Sequence, residues 1–117
     1  MANFGFILGG SPHQGEKMET LYHLASAALG REHSVFVFLY NEGVYAPMKN
    51  QLPLEEIENP RDLIEDLINK GATIISSNID IRARGIDSNK SYLDGIKTGG
   101  LPDLSEAISR MDRLIAL

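Results

Sequence analysis

Ala72-Thr73-Ile74-Ile75 is a short apolar, β-branched run that stops at Ser76-Ser77-Asn78. A run of this kind, without polar alternation, suits a strand buried on both faces, and such a strand needs helices above and below it. Gly71 closes the helical pattern before it, as glycines at helix ends do. The small polar residues after it favour helix N-caps, because their side-chain oxygens accept from unpaired backbone N–H groups. A short helical segment through Ile79 to Arg84, stopped by Gly85, is expected next. Ligands of open α/β sheets bind at the carboxyl ends of strands. Ser77, Asn78, Asp80 and Arg84 are therefore the first candidates for a site.

The flanking segments repeat this alternation. Phe4 to Leu8 reads as the first strand, with Gly9-Gly10 as its exit. Ser11-Pro12-His13-Gln14 matches a helix start in its serine cap, proline and following glutamine, although Gly15 moves the expected start a few residues later. Met18, Leu21, Tyr22, Ala25, Ala28 and Leu29 then mark one helical face, ended by Gly30. Ser34 to Tyr40 is β-branched and aromatic and predicts a second strand. Asn41 to Pro60 is a long connection with little periodicity, in which Glu55-Glu56-Ile57-Glu58 suggests a helical turn. Leu63, Ile64, Leu67 and Ile68 define a helix over Arg61 to Lys70. Beyond Gly85 the apolar anchors thin to Tyr92-Leu93, before a very short strand within Ile96 to Gly100. Leu101, Leu104, Ala107, Ile108 and Met111 predict a last helix, and Leu114 to Leu117 a terminal strand.

About five strands and four helices in alternation predict a three-layer α/β/α sandwich around a mostly parallel sheet, flavodoxin-like in appearance. The strand order does not follow from the sequence. Residues 1–117 make a single domain, long enough to bury a core. The formal net charge of -5 argues against nucleic acid as a partner. No apolar run approaches a membrane span and Met1-Ala2-Asn3-Phe4 lacks a basic signal start, so a cytoplasmic protein is expected. The chain has no cysteine, which removes disulfides, thiolate metal sites and any thiol nucleophile.

The motifs leave several readings open. Gly9-Gly10-Ser11 lacks both the dinucleotide fingerprint and the P-loop lysine, so a tight turn with a capped helix is preferred over a phosphate site. His13, His23 and His33 share no helical face and no ligand spacing, and neither a metal nor a cofactor is expected. Only His13, in the first loop, is placed to reach a site at the strand ends. Asp80 and Arg84 would share a face of a helical turn, either as a local ion pair or as a polar pair that orients a small ligand. Ser77 has no recognisable general base and no nucleophile elbow, which speaks against a hydrolase triad.

Ala83-Arg84-Gly85, then Gly95-Ile96-Lys97-Thr98-Gly99-Gly100-Leu101-Pro102-Asp103-Leu104, then Met111-Asp112-Arg113-Leu114-Ile115, together resemble the DsrE/DsrF-like family, which includes TusD-like sulfur-relay subunits. Gly43-Val44 after the second strand is also similar to that pattern. The resemblance implies a small α/β domain that assembles into homotrimers, hexamers or hetero-oligomers of related subunits. It also implies a persulfide-bearing cysteine on a turn ahead of the Arg-Gly pair. That position falls here on Ser77, and a second family cysteine falls on Asp80. A hydroxyl cannot replace the thiolate as sulfur nucleophile and acceptor, so persulfide transfer is not available to this chain's own residues.

Two functions are carried forward. The first is a cysteine-free, non-catalytic subunit that forms oligomers or binds partners in intracellular sulfur relay or sulfur oxidation, with the Asn41–Pro60 loop and Tyr92-Leu93 as interface pieces. The second is a small-ligand-binding protein, or an enzyme of changed chemistry, built on Ser11, His13, Ser77, Asn78, Asp80 and Arg84.

Overall fold

The apolar runs become five parallel strands, and the segments of helical period lie between them. The computed structural model describes residues 1–52 and 58–117. The strands are β1 (Asn3–Leu8), β2 (Ser34–Leu39), β3 (Thr73–Ser77), β4 (Lys97–Gly99) and β5 (Arg113–Ala116). Their order across the sheet is β4-β3-β2-β1-β5, and every neighbouring pair is parallel. The helices are α1 (Lys17–Gly30), α2 (Pro60–Asn69), α3 (Asn78–Ala83), α4 (Ser88–Ser91) and α5 (Leu101–Ile108).

This order follows from how parallel strands connect. The chain steps from β1 through β2 and β3 to β4, then returns through α5 to lie beside β1. Right-handed crossovers place α1 and α2 on one face and send the return helix to the other. Alternation along the strands sorts the core accordingly. Phe6, Leu8, Val35, Val37, Leu39 and Ile74 pack with α1 and α2, through Met18, Leu21, Ala25, Ile64 and Leu67. Phe36 and Phe38, with Ile7 and Ile75, face Ala107, Leu104 and Met111. Each fully buried Leu or Phe contributes roughly 1.5–3 kcal/mol by leaving water. The larger share of the core lies under α1 and α2.

α1 starts at Lys17, a few residues after the Ser11 signal as expected, because Gly15 adopts φ +70, which a continuing right-handed helix excludes. Other boundaries differ from the sequence reading. β3 runs on through Ser77, so no loop separates it from α3. α5 ends at Ile108, and Met111 returns to the sheet as a core residue instead of closing the helix. α4 and a 3₁₀ turn at Asn41–Tyr45 have no counterpart in the periodicity. The turn suggested at Glu55-Glu56-Ile57 lies outside the described residues.

Candidate functional site

β3 delivers Ser76 and Ser77 to the carboxyl end of the sheet, where the backbone turns directly into α3. Ser77 caps that helix: its Oγ accepts from the Asp80 N–H at 3.4 Å. The hydroxyl is buried and already engaged, and no general base contacts it among the described residues. Such an oxygen is a structural cap and lacks the partner that would activate it as a nucleophile.

Asp80 and Arg84 do meet, as their spacing suggested. Arg84 Nη1 donates to Asp80 Oδ1 at 3.3 Å and to the Asp80 carbonyl at 3.2 Å. The stronger contact, however, comes from elsewhere in the chain. Arg84 Nη2 donates to Glu42 Oε1 at 2.8 Å, and Nε to the same oxygen at 3.2 Å. The Glu42 bond is the main reason that the Arg84 pKa is raised above the ordinary guanidinium value. Glu42 was not among the residues singled out from sequence. No local period marks it, and in the sequence it is only one residue of the Asn41–Pro60 connection.

The 3₁₀ turn that carries Glu42 packs against β2, β3 and α3. A Cβ at Gly43 would overlap the carbonyl oxygen of Leu8, so only glycine lets the turn approach β1 this closely. Val44 and Ala46 are fully buried behind it. Tyr92 completes the packing: it turns inward, is 4% exposed, and donates its hydroxyl to the Val44 carbonyl at 2.5 Å. Burial pushes the Tyr92 phenol up to about 12. Tyr92 is thus a core anchor and not a free interface residue, and Leu93 packs partly against the same core.

The six sequence candidates divide into groups. Ser77, Asp80 and Arg84 form one connected cluster at α3. Asn78 is exposed and lines an open hollow of about 440 Å³ with Ile81, Arg82, Asp87 and Thr98. Ser11 and His13 stay in the β1–α1 loop, where Ser11 Oγ accepts from the His13 N–H at 3.2 Å. His13 borders a smaller hollow of about 110 Å³ with Met18, Glu58, Pro60 and Leu63, on the α1–α2 side. Neither residue hydrogen-bonds to the α3 cluster among the described residues. The other histidines are also apart: His23 stacks edge-on with Tyr22, and His33 Nδ1 accepts from the Ala2 N–H at 2.9 Å. No helix among the described residues is long and apolar enough to cross a membrane.

The fold matches solved structures over its whole length. The crystal structure of the ychN protein from E. coli superposes with a TM-score of 0.91 at 24% identity, covering 100% of both chains. The MTH1491 protein from Methanobacterium thermoautotrophicum gives 0.74 at 15% identity, again over 100% of both chains. Among sequence relatives, the MK0008 protein of Methanopyrus kandleri is 28% identical over 93% of this chain and 88% of its own length. The MJ0989 protein of Methanocaldococcus jannaschii is 27% identical over 96% of both. The profile of the DsrE/DsrF-like family matches residues 2–117. With its parallel sheet, its Gly43 turn against β1 and its capped β3–α3 junction in place, the chain belongs to the DsrE/DsrF-like family.

Proposed function

We propose that this protein is a non-catalytic member of its family, an oligomer-forming or partner-binding subunit related to sulfur relay or sulfur oxidation in the cytoplasm. One observation carries the reading. At the β3–α3 junction, where the family resemblance puts a persulfide cysteine, this chain has a buried capping serine, and it has no cysteine anywhere else. The second family position, Asp80, is tied into an ion pair with Arg84. The junction keeps its shape without the reactive sulfur, which suits a subunit whose contribution is a surface. Native mass spectrometry of the purified chain tests this. A homotrimer or hexamer, or a stable assembly with a related subunit, supports the proposal. A monomer that retains no partner counts against it.

A second reading, a small-ligand-binding protein or an enzyme of changed chemistry, is favoured by the open hollow beside Asn78. Arg84 is held by Glu42 and Asp80, so the cation that borders this hollow is Arg82. A reproducible small adduct in the native spectrum, lost in Arg82→Ala, would move the assignment to this reading. Loss of the adduct in Ser77→Ala would extend the site to the junction itself.

A further inference from the structure

The two edges of the sheet differ. β4 is three residues long, Lys97-Thr98-Gly99, and its lysine is exposed. Short, charged edges of this kind resist pairing with other strands. β5 is guarded less. Leu117 extends its ladder, donating its N–H to the Ile7 carbonyl at 2.8 Å and accepting from the Gly9 N–H at 3.4 Å. In a parallel ladder, alternate residues turn both backbone groups toward the same neighbour. Arg113, Ile115 and Leu117 therefore address β1, and the N–H and C=O groups of Leu114 and Ala116 point outward. No strand meets them among the described residues.

Apolar side chains flank this bare edge on both faces. Leu114 lies against Gly5 on the α5 side and remains 42% exposed. Ile115 lies on the other face, in an open hollow of about 270 Å³ whose floor is apolar, with Phe4, Phe6, Leu24 and Ala28, and whose rim carries Arg31 and His33. Leu24 is 45% exposed. The hollow lies where α1, which packs mainly over β1 and β2, meets the sheet edge.

We propose that β5 pairs antiparallel with β5 of a second copy of this chain, about a two-fold axis at Ile115, joining two sheets into one. The proposal rests on the oligomer-forming reading above and names its surface. Ladder geometry selects the register. A two-fold axis perpendicular to the sheet keeps the α1 sides together, so residues that face each other across the joint must share a face. Centring on Ile115 sets Leu114 opposite Ala116 of the second copy, and Ala116 opposite Leu114. These are the residues with outward backbone groups, and they meet as hydrogen-bonded pairs. Ile115 meets its own counterpart as the close, non-hydrogen-bonded pair, beside the two hollows. Arg113 stands opposite Leu117, so no like charges oppose, whereas an in-register parallel joint would set Arg113 beside Arg113.

The absence of cysteine makes the test clean, because one introduced thiol reports one contact. Non-hydrogen-bonded antiparallel pairs hold their Cα atoms about 4.5 Å apart, within disulfide range. Full-length Ile115→Cys under mild oxidation is expected to run mainly as a reducible dimer on a non-reducing gel. Lys97→Cys, on the other edge, is expected to stay uncross-linked. Ala116→Pro removes an outward N–H and no bond to β1. It is expected to halve the mass of the native assembly with the far-ultraviolet circular dichroism unchanged. A native dimer or hexamer supports the contact. A plain trimer has no two-fold axis and overturns it. An oligomer in which Ile115→Cys does not cross-link and Ala116→Pro leaves the mass unchanged overturns the β5 contact alone. A monomeric wild-type chain overturns this proposal and the oligomer-forming reading together.

Discussion

Arg84 and Glu42 are 42 residues apart in sequence, yet their side chains meet at 2.8 Å and tie the 3₁₀ turn to the end of α3. Asp80 joins the same guanidinium from within α3. Glu42 is half exposed, so solvent screens the pair and its contribution is small. Glu42→Gln or Arg84→Gln is expected to lower Tm by about 1–3 °C. The double variant should fall by less than the sum, because both changes remove one interaction. Thermal unfolding at low and at high salt checks this: the deficit should shrink as salt rises. A deficit that does not respond to salt would mean that packing, not charge, holds the turn.

A larger effect is expected next to Glu42. The Cβ of Gly43→Ala would overlap the Leu8 carbonyl oxygen, a backbone atom that cannot swing aside as a side chain would. The turn or β1 has to shift, and overpacking of this kind costs about 1–3 kcal/mol. Urea unfolding should show a lower midpoint at an unchanged slope.

Strands were legible in the sequence because continuous β-branched and aromatic runs such as Val35 to Leu39 suit strands covered on both faces. Such runs do not say which helix layer a residue meets, and the structure sorts Phe6 from Ile7 and Val37 from Phe38. α2 was legible because Leu63, Ile64 and Leu67 repeat at helical spacing and are buried. Elements too short to show a period were not. α4 spans four residues with no buried one, and its only signal is Asp87 accepting from the Asn89 N–H. Of the site, the Asp80–Arg84 pair was readable because both residues sit on one helical turn. The Glu42 contact is tertiary and leaves no local trace. Ser11 and His13 were grouped with α3 on the premise that polar residues after strands converge. The first loop instead sets His13 beside Pro60 and Leu63 of α2.

Acid sensitivity is expected at the α1–α2 seam. Asp66 accepts from the Tyr22 hydroxyl at 2.5 Å and pairs with Lys70 at 2.8 Å. The Lys70 hydrogen bond, with that of Tyr22 second, lowers the Asp66 pKa below its ordinary value. A carboxylate with a lowered folded pKa contributes stability that is present above the unfolded pKa and lost as pH falls through the folded one. The wild-type chain should therefore lose Tm below about pH 4 more steeply than Asp66→Asn. The group is substantially exposed, so the two should differ at pH 7 by only about 1–3 °C and converge at the acid end.

The alkaline limit is expected to lie with Tyr92. Its phenol is buried, donates to the Val44 carbonyl, and has its pKa pushed up to about 12 by burial. Because the folded pKa lies above that of the unfolded chain, this group's contribution is complete below the unfolded value, about 10. It is lost as pH rises toward the folded one. Stability should therefore decline between about pH 10 and 12, by roughly 1–2 kcal/mol from this group. Tyr92→Phe separates that titration from the hydrogen bond. At pH 7 it should cost about 1–3 kcal/mol, because the Val44 carbonyl is left buried without its donor. Above pH 10 the gap to wild type should narrow, since phenylalanine has no proton to lose. Urea midpoints at pH 7 and pH 11 decide the matter, and a gap of constant size would show that Tyr92 is not the group that titrates.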